Sequence, residues 1–251
     1  MAITRKLTDA IPGFHGIREA LIHGHVPIGE IWIAEGKRSG RSREILELAR
    51  AHGLPVRSVK TPELEKRFPG LTHQGMVALT DAFFYSSLDE ILWASGEADG
   101  YKLILVADHI TDEGNLGALI RTGSFFGAHG LVLPKDRSAQ VSAGVVKRAS
   151  GTVGIMPICK VVNLGRTLDL LDKKGFWILG TSGEGAQSIY QFDWERDVAL
   201  ILGNEKRGLS PSVEKRCHEV VRIPRGGPVE SLNISVAAGV ILAEIRRQQM
   251  G

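Results

Sequence analysis

Polar and flexible residues collect in three short segments, each following an apolar run that reads as a buried strand. The first is Asp112-Glu113-Gly114-Asn115-Leu116-Gly117-Ala118, continuing to Arg121. The second is Leu202-Gly203-Asn204-Glu205-Lys206-Arg207-Gly208-Leu209, and the third runs from Ile223-Pro224-Arg225-Gly226-Gly227 to Ser231-Leu232-Asn233. Amides, carboxylates, a hydroxyl and guanidinium groups at such positions can bind and polarise a ligand. Open α/β sheets place their ligands where strands give way to helices. Three such turns in one stretch of chain therefore point to a site assembled from several loops. A fourth cluster is purely cationic: Lys37, Arg38, Arg41 and Arg43, spaced by Ser39, Gly40 and Ser42, with no acid among them. It reads as a flexible basic loop suited to phosphate contacts, which depend on charge more than shape, and equally as a solvated loop.

Several chemistries are excluded. No G-x-G-x-x-G follows a strand and no G-x-x-x-x-G-K-[ST] is present; Gly180-Thr181-Ser182-Gly183-Glu184-Gly185 has the wrong spacing for either. No His/Cys cluster has zinc spacing, and no serine stands in a G-x-S-x-G elbow. The two cysteines, Cys159 and Cys217, fit reduced structural thiols in a cytoplasmic protein. The 251 residues are 43% hydrophobic and 24% charged with a net charge of +3, values that allow a nucleic-acid partner without requiring one. No apolar run approaches the roughly 18 residues of a membrane span. The N-terminus, Met1 to Lys6, lacks the apolar core of a signal peptide.

The elements that must position these residues fall into two groups. In the first, strands are predicted at 30–34, 54–59 and 76–79. Helices are predicted at 42–52, stopped by Gly53, at the segment opened by Thr61 as N-cap with Pro62 as first helical residue, and at 88–93. The polar stretch Ser95 to Gly100 is the candidate boundary, giving a domain over 1–95, a linker over 96–100 and a domain over 101–251. In the second group strands are predicted at 102–107, 130–133, 153–158, 176–179, 198–202 and 220–223. Helices are predicted at 116–126, 141–149, 164–173, 211–217 and 232–248. Continuous apolar strands alternating with helices imply an α/β fold whose parallel sheet is covered on both faces.

The three segments resemble the motifs of the SpoU/TrmH family of RNA ribose 2′-O-methyltransferases, members of the knotted SPOUT class. The first reads Asn115-x-Gly117-Ala118-x-x-Arg121 with Phe126-Gly127-Ala128. The second reads Gly203-x-Glu205-x-x-Gly208-Leu209, and the third Ile223-Pro224 with Ser231-Leu232-Asn233-Ile234-Ser235-Val236-Ala237. Gly13-x-x-Gly16-Ile17-x-x-Ala20-Leu21 and His73-Gln74-Gly75 are similar to the family's separate RNA-binding domain, itself like a ribosomal protein. The resemblance implies a trefoil knot and S-adenosylmethionine as methyl donor. Thr181, Ser182, Gly183, Leu202, Gly203, Ile223 and Leu232 would hold that donor, and Gly203 would let the backbone approach it closely. Arg121, Asn115, Glu205, Ser231 and Asn233 would form the catalytic set. Arg121 would bind phosphate and stabilise a developing 2′-alkoxide, because a guanidinium is too weak a base to take the proton. Ser231 serves equally as N-cap of the last helix. Lys37, Arg38, Arg41, Arg43, His73 and Gln74 would contact RNA, with a turn role equally open for the last two. A homodimer is implied, with no metal and no membrane. The implied substrate is a guanosine of large-subunit rRNA; transfer RNA, or a non-catalytic role in ribosome assembly, are the alternatives. Two departures stand out: Glu113-Gly114 occupies the place of the family's proline, and Arg225 that of the usual methionine.

Overall fold

The computed structural model describes residues 9–23, 28–36, 39–80, 83–96, 100–149 and 152–250. The chain forms two compact units, Met1–Phe84 with Val141–Ile155, and Tyr85–Gln140 with Met156–Gly251.

The first unit begins with β1 (Asp9–Pro12), α1 (Phe14–His23), β2 (Ile28–Ala34), α2 (Gly40–Ala51), β3 (Val56–Val59), α3 (Thr61–Arg67) and β4 (Met76–Thr80). Its sheet has the order β1-β4-β2-β3. β4 runs antiparallel to both neighbours, and β3 parallel to β2. The sequence pattern gives no sign of β1, a four-residue edge strand ending in proline. It also passes over α1, although Ile17, Ala20 and Leu21 bury one helical face. α2 overturns the reading of a flexible basic loop. Ser39 caps it and Ser42 answers: Ser42 N–H donates to Ser39 Oγ at 3.2 Å, and Ser39 N–H donates to Ser42 Oγ at 2.9 Å. This reciprocal pair fixes the first turn, so Arg41 and Arg43 ride on a helix. α3 likewise starts one residue early, with Lys60 as N-cap and Pro62 inside the first turn, where its missing N–H costs nothing.

The remaining elements are α4 (Leu88–Gly96), β5 (Leu103–Ala107), α5 (Glu113–Phe125), β6 (Gly130–Pro134) and α6 (Ala143–Arg148), the last belonging to the first unit. They are followed by β7 (Ile158–Val161), α7 (Leu164–Lys173), β8 (Trp177–Thr181), β9 (Gln187–Ser188), β10 (Val198–Leu202), α8 (Pro211–Glu214), β11 (Glu219–Arg222) and α9 (Ile234–Met250). The second unit's seven strands are all parallel, in the order β7-β6-β5-β10-β8-β11-β9. Every residue of β5, β6 and β10 is buried, as expected of a parallel sheet covered on both faces. The strand expected over 153–158 is displaced to Ile158–Val161, and a short 3₁₀ turn occupies Thr152–Gly154. Pro157 explains the shift, because it has no N–H to give to a ladder. α8 stops at Glu214, short of Cys217.

α5 and α9 pack side by side. Arg246 closes the exposed end of α5, donating from Nε to the Phe126 carbonyl at 2.6 Å and from Nη2 to the Gly127 carbonyl at 2.8 Å. A cation there satisfies orphan carbonyls and complements the helix dipole. His129 follows, its Nδ1 accepting the Leu103 N–H at 3.0 Å. Burial, chiefly, holds its pKa below the ordinary value of 6.5. With the folded value below the unfolded one, the unfolded chain binds more protons in that window, and stability falls as the pH drops below about 6.5. His129→Gln keeps an acceptor for Leu103 and should flatten the decline in urea midpoint between pH 7.5 and 5.5 relative to the parent protein.

Candidate active site

β10, β8 and β11 lie side by side, and the loops leaving their C-terminal ends converge. The turn after β10 is shaped by Gly203. A Cβ there would lie 2.5 Å from Gly208 C and 2.7 Å from both Gly208 O and Leu209 N. Glycine is therefore required by the chain's own backbone. Asn204 and Gly208 pair across this turn, N–H to O, at 2.8 and 2.9 Å. Asn204 Oδ1 accepts the Lys206 and Arg207 N–H groups at 3.0 and 3.2 Å, while its amide donates to the His109 carbonyl at 2.7 Å. The loop after β8 is held at its root by Thr181, whose hydroxyl donates to the Ile201 carbonyl at 2.9 Å. Further on, Gly185 packs on the β11 backbone, where a Cβ would sit 2.4 Å from Val221 C.

Between these loops and α9 lies a cavity of about 620 Å³. Leu202, Val221, Ile223, Leu232, Ile234 and Ile241 supply apolar wall. Thr181, Ser182, Gly183, Gly203, Glu205 and Ser231 supply polar or open edge. Glu184, Glu230, Lys206 and Arg225 add charge of both signs. All seven residues associated by motif with the methyl donor thus line one cavity. Ser231 lines it too, three residues ahead of the first residue of α9. Asn233 caps α9 instead, its Oδ1 accepting from Ser235 N–H at 2.9 Å and Ser235 Oγ at 2.6 Å.

The first segment joins this site through side chains. Asp112 caps α5 by accepting the Asn115 N–H at 2.8 Å, which fixes Asn115 in the first helical turn. Asn115 then donates from Nδ2 to Glu205 Oε1 at 2.9 Å and accepts at Oδ1 from Asn233 Nδ2 at 2.9 Å. One residue from each segment therefore enters a single hydrogen-bonded chain. Arg121 lies six residues further along α5, about 9 Å along the axis, with its side chain exposed.

Two residues that sequence reasoning missed anchor the assembly. The Asp108 side chain is fully buried. It accepts from Ser210 N–H at 2.6 Å, Ser210 Oγ at 3.2 Å and His109 Nδ1 at 2.6 Å. A buried carboxylate is stable only with such partners. Here it ties the end of β5 to the chain beyond the Gly203 turn. His109 adopts the left-handed region, φ +59°. The available signal was a carboxylate closing an apolar strand; no pattern links it to residue 210.

Other expected residues lie elsewhere. In the first unit His73 Nδ1 accepts the Gly75 N–H at 3.0 Å, and Gln74 takes φ +51°, so both build the turn before β4. Arg41 stacks 5.5 Å from the centre of the Phe14 ring, and Arg43 is exposed. Lys37 and Arg38 lie outside the described residues, as do 97–99 of the expected linker. Burial pushes the Cys159 thiol up to about 12 and, with Glu214 and Asp108 nearby, Cys217 up to about 11, so neither offers a thiolate near neutral pH. Among the described residues no group of His, Cys, Asp and Glu could hold a metal, and no helix is long and apolar enough to cross a membrane.

The chain that carries this cavity and the three motifs is similar to known proteins. The SpoU rRNA Methylase family profile matches residues 102–243, and that for RNA 2′-O ribose methyltransferase substrate binding matches 10–86. The chain belongs to the SpoU rRNA methylase family. It is by family an RNA 2′-O-ribose methyltransferase. The 23S rRNA (guanosine-2′-O-)-methyltransferase RlmB of Pseudomonas aeruginosa is 36% identical to it over 244 residues, 96% of this chain and 97% of that one. RlmB of Ralstonia nicotianae is 39% identical over 242 residues, 94% of each chain. Among solved structures, the SpoU methyltransferase AviRb of Streptomyces viridochromogenes, in complex with AdoMet, superposes with a TM-score of 0.81 at 25% identity, over 96% of this chain and 90% of that one. Membership in the SpoU family accounts for the parallel sheet and for the preceding substrate-binding region.

Proposed function

We propose that the protein transfers a methyl group from S-adenosylmethionine to the ribose 2′-hydroxyl of a guanosine in large-subunit rRNA. The observation that carries this reading is the Asn115–Glu205 hydrogen bond, 2.9 Å long. It joins the segment carrying Arg121 to a residue of the cavity rim, so acceptor and donor groups can meet at one place. Support for the substrate comes from the RlmB relatives, named for 23S rRNA guanosine and matched over 97% and 94% of their lengths.

The cavity fits the methyl donor. Its volume of about 620 Å³ falls among ligand sites of small molecules. Ile223 and Leu232 offer apolar faces to an adenine, and Thr181, Ser182, Gly183, Leu202 and Gly203 bring backbone and hydroxyl groups to its edges. Glu184 and Glu230 are acceptors for ribose hydroxyls or an ammonium group. When bound, S-adenosylmethionine supplies an electrophilic methyl on a sulfonium. Arg121 remains protonated, holds the phosphate beside the target ribose and stabilises negative charge on the 2′-oxygen, whose proton leaves to that phosphate or to water as the methyl–sulfonium bond breaks. Asn115 and Asn233 orient the acceptor, with Glu205 fixing the Asn115 amide and Ser231 at the mouth of the cavity. Arg225, in place of a methionine, adds a cation for the RNA phosphates.

Residues 1–95 take the role of RNA capture and 101–251 that of methyl transfer, with Lys37, Arg38, Arg41, Arg43, His73 and Gln74 as RNA contacts. The strand order suits a trefoil knot, since β10 inserts between β5 and β8 before β11 passes to the far side of β8. A homodimer would use the paired α5 and α9 surface, where Phe125 and Val236 are exposed. A protein acting on rRNA in this way would work in the cytoplasm. The test is methyl transfer from labelled S-adenosylmethionine to purified large-subunit rRNA and to transfer RNA, followed by mapping of the modified nucleotide. A single 2′-O-methylguanosine in the rRNA is expected. Modification of transfer RNA alone, or of another base, would overturn the substrate assignment.

A further inference from the structure

The rim that bears the candidate site continues outward along the sheet. β6 and β7 are the outermost strands on one side, and their C-terminal ends carry Lys135 and Lys160. The parallel register sets Leu133 opposite Lys160. Lys135, two residues beyond Leu133, therefore lies on the same face as Lys160. Its backbone is fixed there by donating to the Val161 carbonyl at 2.8 Å. Along the free edge of β7, Ser86 bridges Cys159 in parallel fashion and donates to the Ile158 carbonyl at 2.9 Å. The same alternation puts Tyr85 on the face of Lys160, whose Nζ stands 3.7 Å from the centre of the tyrosine ring.

The Lys160 ammonium thus lies against an aromatic ring and within reach of the charge of Lys135. Burial and, next, the charge of Lys135 push the Lys160 pKa below its ordinary value. No ion pair joins either lysine to a carboxylate among the described residues; Asp136, the neighbouring acid, is exposed. Arg137 adds a third cation, exposed on a left-handed turn with φ +54°, a conformation that non-glycine residues adopt at a cost. The loop carrying it is rigidly referenced to the candidate site. Ala139 N–H and Ser138 Oγ both donate to the Ile110 carbonyl, at 2.8 and 3.1 Å. Ile110 lies between Asp108 and Asp112, in the segment that delivers Asn115.

Like charges held together without a counter-charge repel one another, and an anion placed between them relieves the repulsion with charge-assisted hydrogen bonds. We propose that Lys135, Lys160 and Arg137, with Tyr85 beside them, hold a backbone phosphate of the RNA strand flanking the methylated nucleotide. This rests on the reading of the protein as acting on RNA. The site takes a phosphodiester, and its fixed distance from Asn115 makes it a ruler for the strand entering the catalytic rim.

The test compares two double variants of the full-length protein. Lys135→Ala/Lys160→Ala removes the proposed pair. Lys173→Ala/Lys174→Ala removes equal charge where α7 ends and the chain turns into β8, at the opposite rim. RNA binding is measured by filter retention over a salt series, and methyl transfer under steady state. For the first variant the KM for RNA should rise about tenfold and the slope of log affinity against log salt should fall by about 1, the loss of roughly one phosphate contact. Its kcat and its affinity for S-adenosylmethionine should match the parent protein, which also verifies folding. The control pair should leave slope and KM unchanged. A parental slope in the first variant, or equal losses in both, would overturn the proposal. Failure of the parent protein itself to bind or methylate rRNA would instead sink the functional reading.

Discussion

Replacing Arg121 with alanine is expected to slow methyl transfer by about 100- to 1,000-fold while leaving the affinity for S-adenosylmethionine within about twofold. The separation follows from geometry. The cavity draws its lining from the loops after β8, β10 and β11 and from α9, whereas Arg121 stands on α5, about 9 Å along the axis from Asn115. Its guanidinium stays charged at any working pH, so its contribution is to bind phosphate and to stabilise negative charge that develops during transfer. Arg121→Lys should recover part of the rate, since the charge persists without the planar fork. Single-turnover transfer and calorimetric titration of the donor check the pair of effects. A rate in Arg121→Ala above about a tenth of the parental value would remove Arg121 from the mechanism.

Gly203→Ala should produce the opposite pattern, with loss of donor binding as the primary effect. The added Cβ would fall 2.5 Å from Gly208 C and 2.7 Å from Leu209 N. These are backbone atoms, with no flexible side-chain end to move aside. The paired turn between Asn204 and Gly208 must then open, carrying Glu205 and Lys206 away from the cavity rim. Affinity for S-adenosylmethionine should weaken by at least about 100-fold, or about 2.7 kcal/mol. Overpacking of this kind also destabilises the fold by about 1–3 kcal/mol, read as a lower thermal midpoint. Donor affinity within about threefold of the parent would show that the turn tolerates the methyl group.

Much of the second unit is legible in the sequence. β5, β6 and β10 are unbroken apolar runs, and such runs bury themselves in parallel sheets whatever surrounds them. Departures arose where a local rule competed with the pattern. Pro157 delayed β7, and the Ser39–Ser42 pair turned an apparent loop into the first turn of α2. The short edge strand β1 offered too few residues for a pattern to register.

The sequence by itself determined the family, the parallel sheet and the three segments that bound the site. Each is a local property, written in hydrophobic period, strand-end chemistry or motif order. Tertiary structure alone decided which of those residues meet. Asn115 reaches Glu205 across 90 positions and Asn233 across 118, because β10 is inserted beside β5 and brings its following turn against the start of α5. The burial of Asp108 against Ser210, the close backbone approach at Gly203, and the contact of Lys160 with Tyr85 have the same origin. Strand order sets long-range proximity through the packing of the whole sheet, and no window of local sequence contains it.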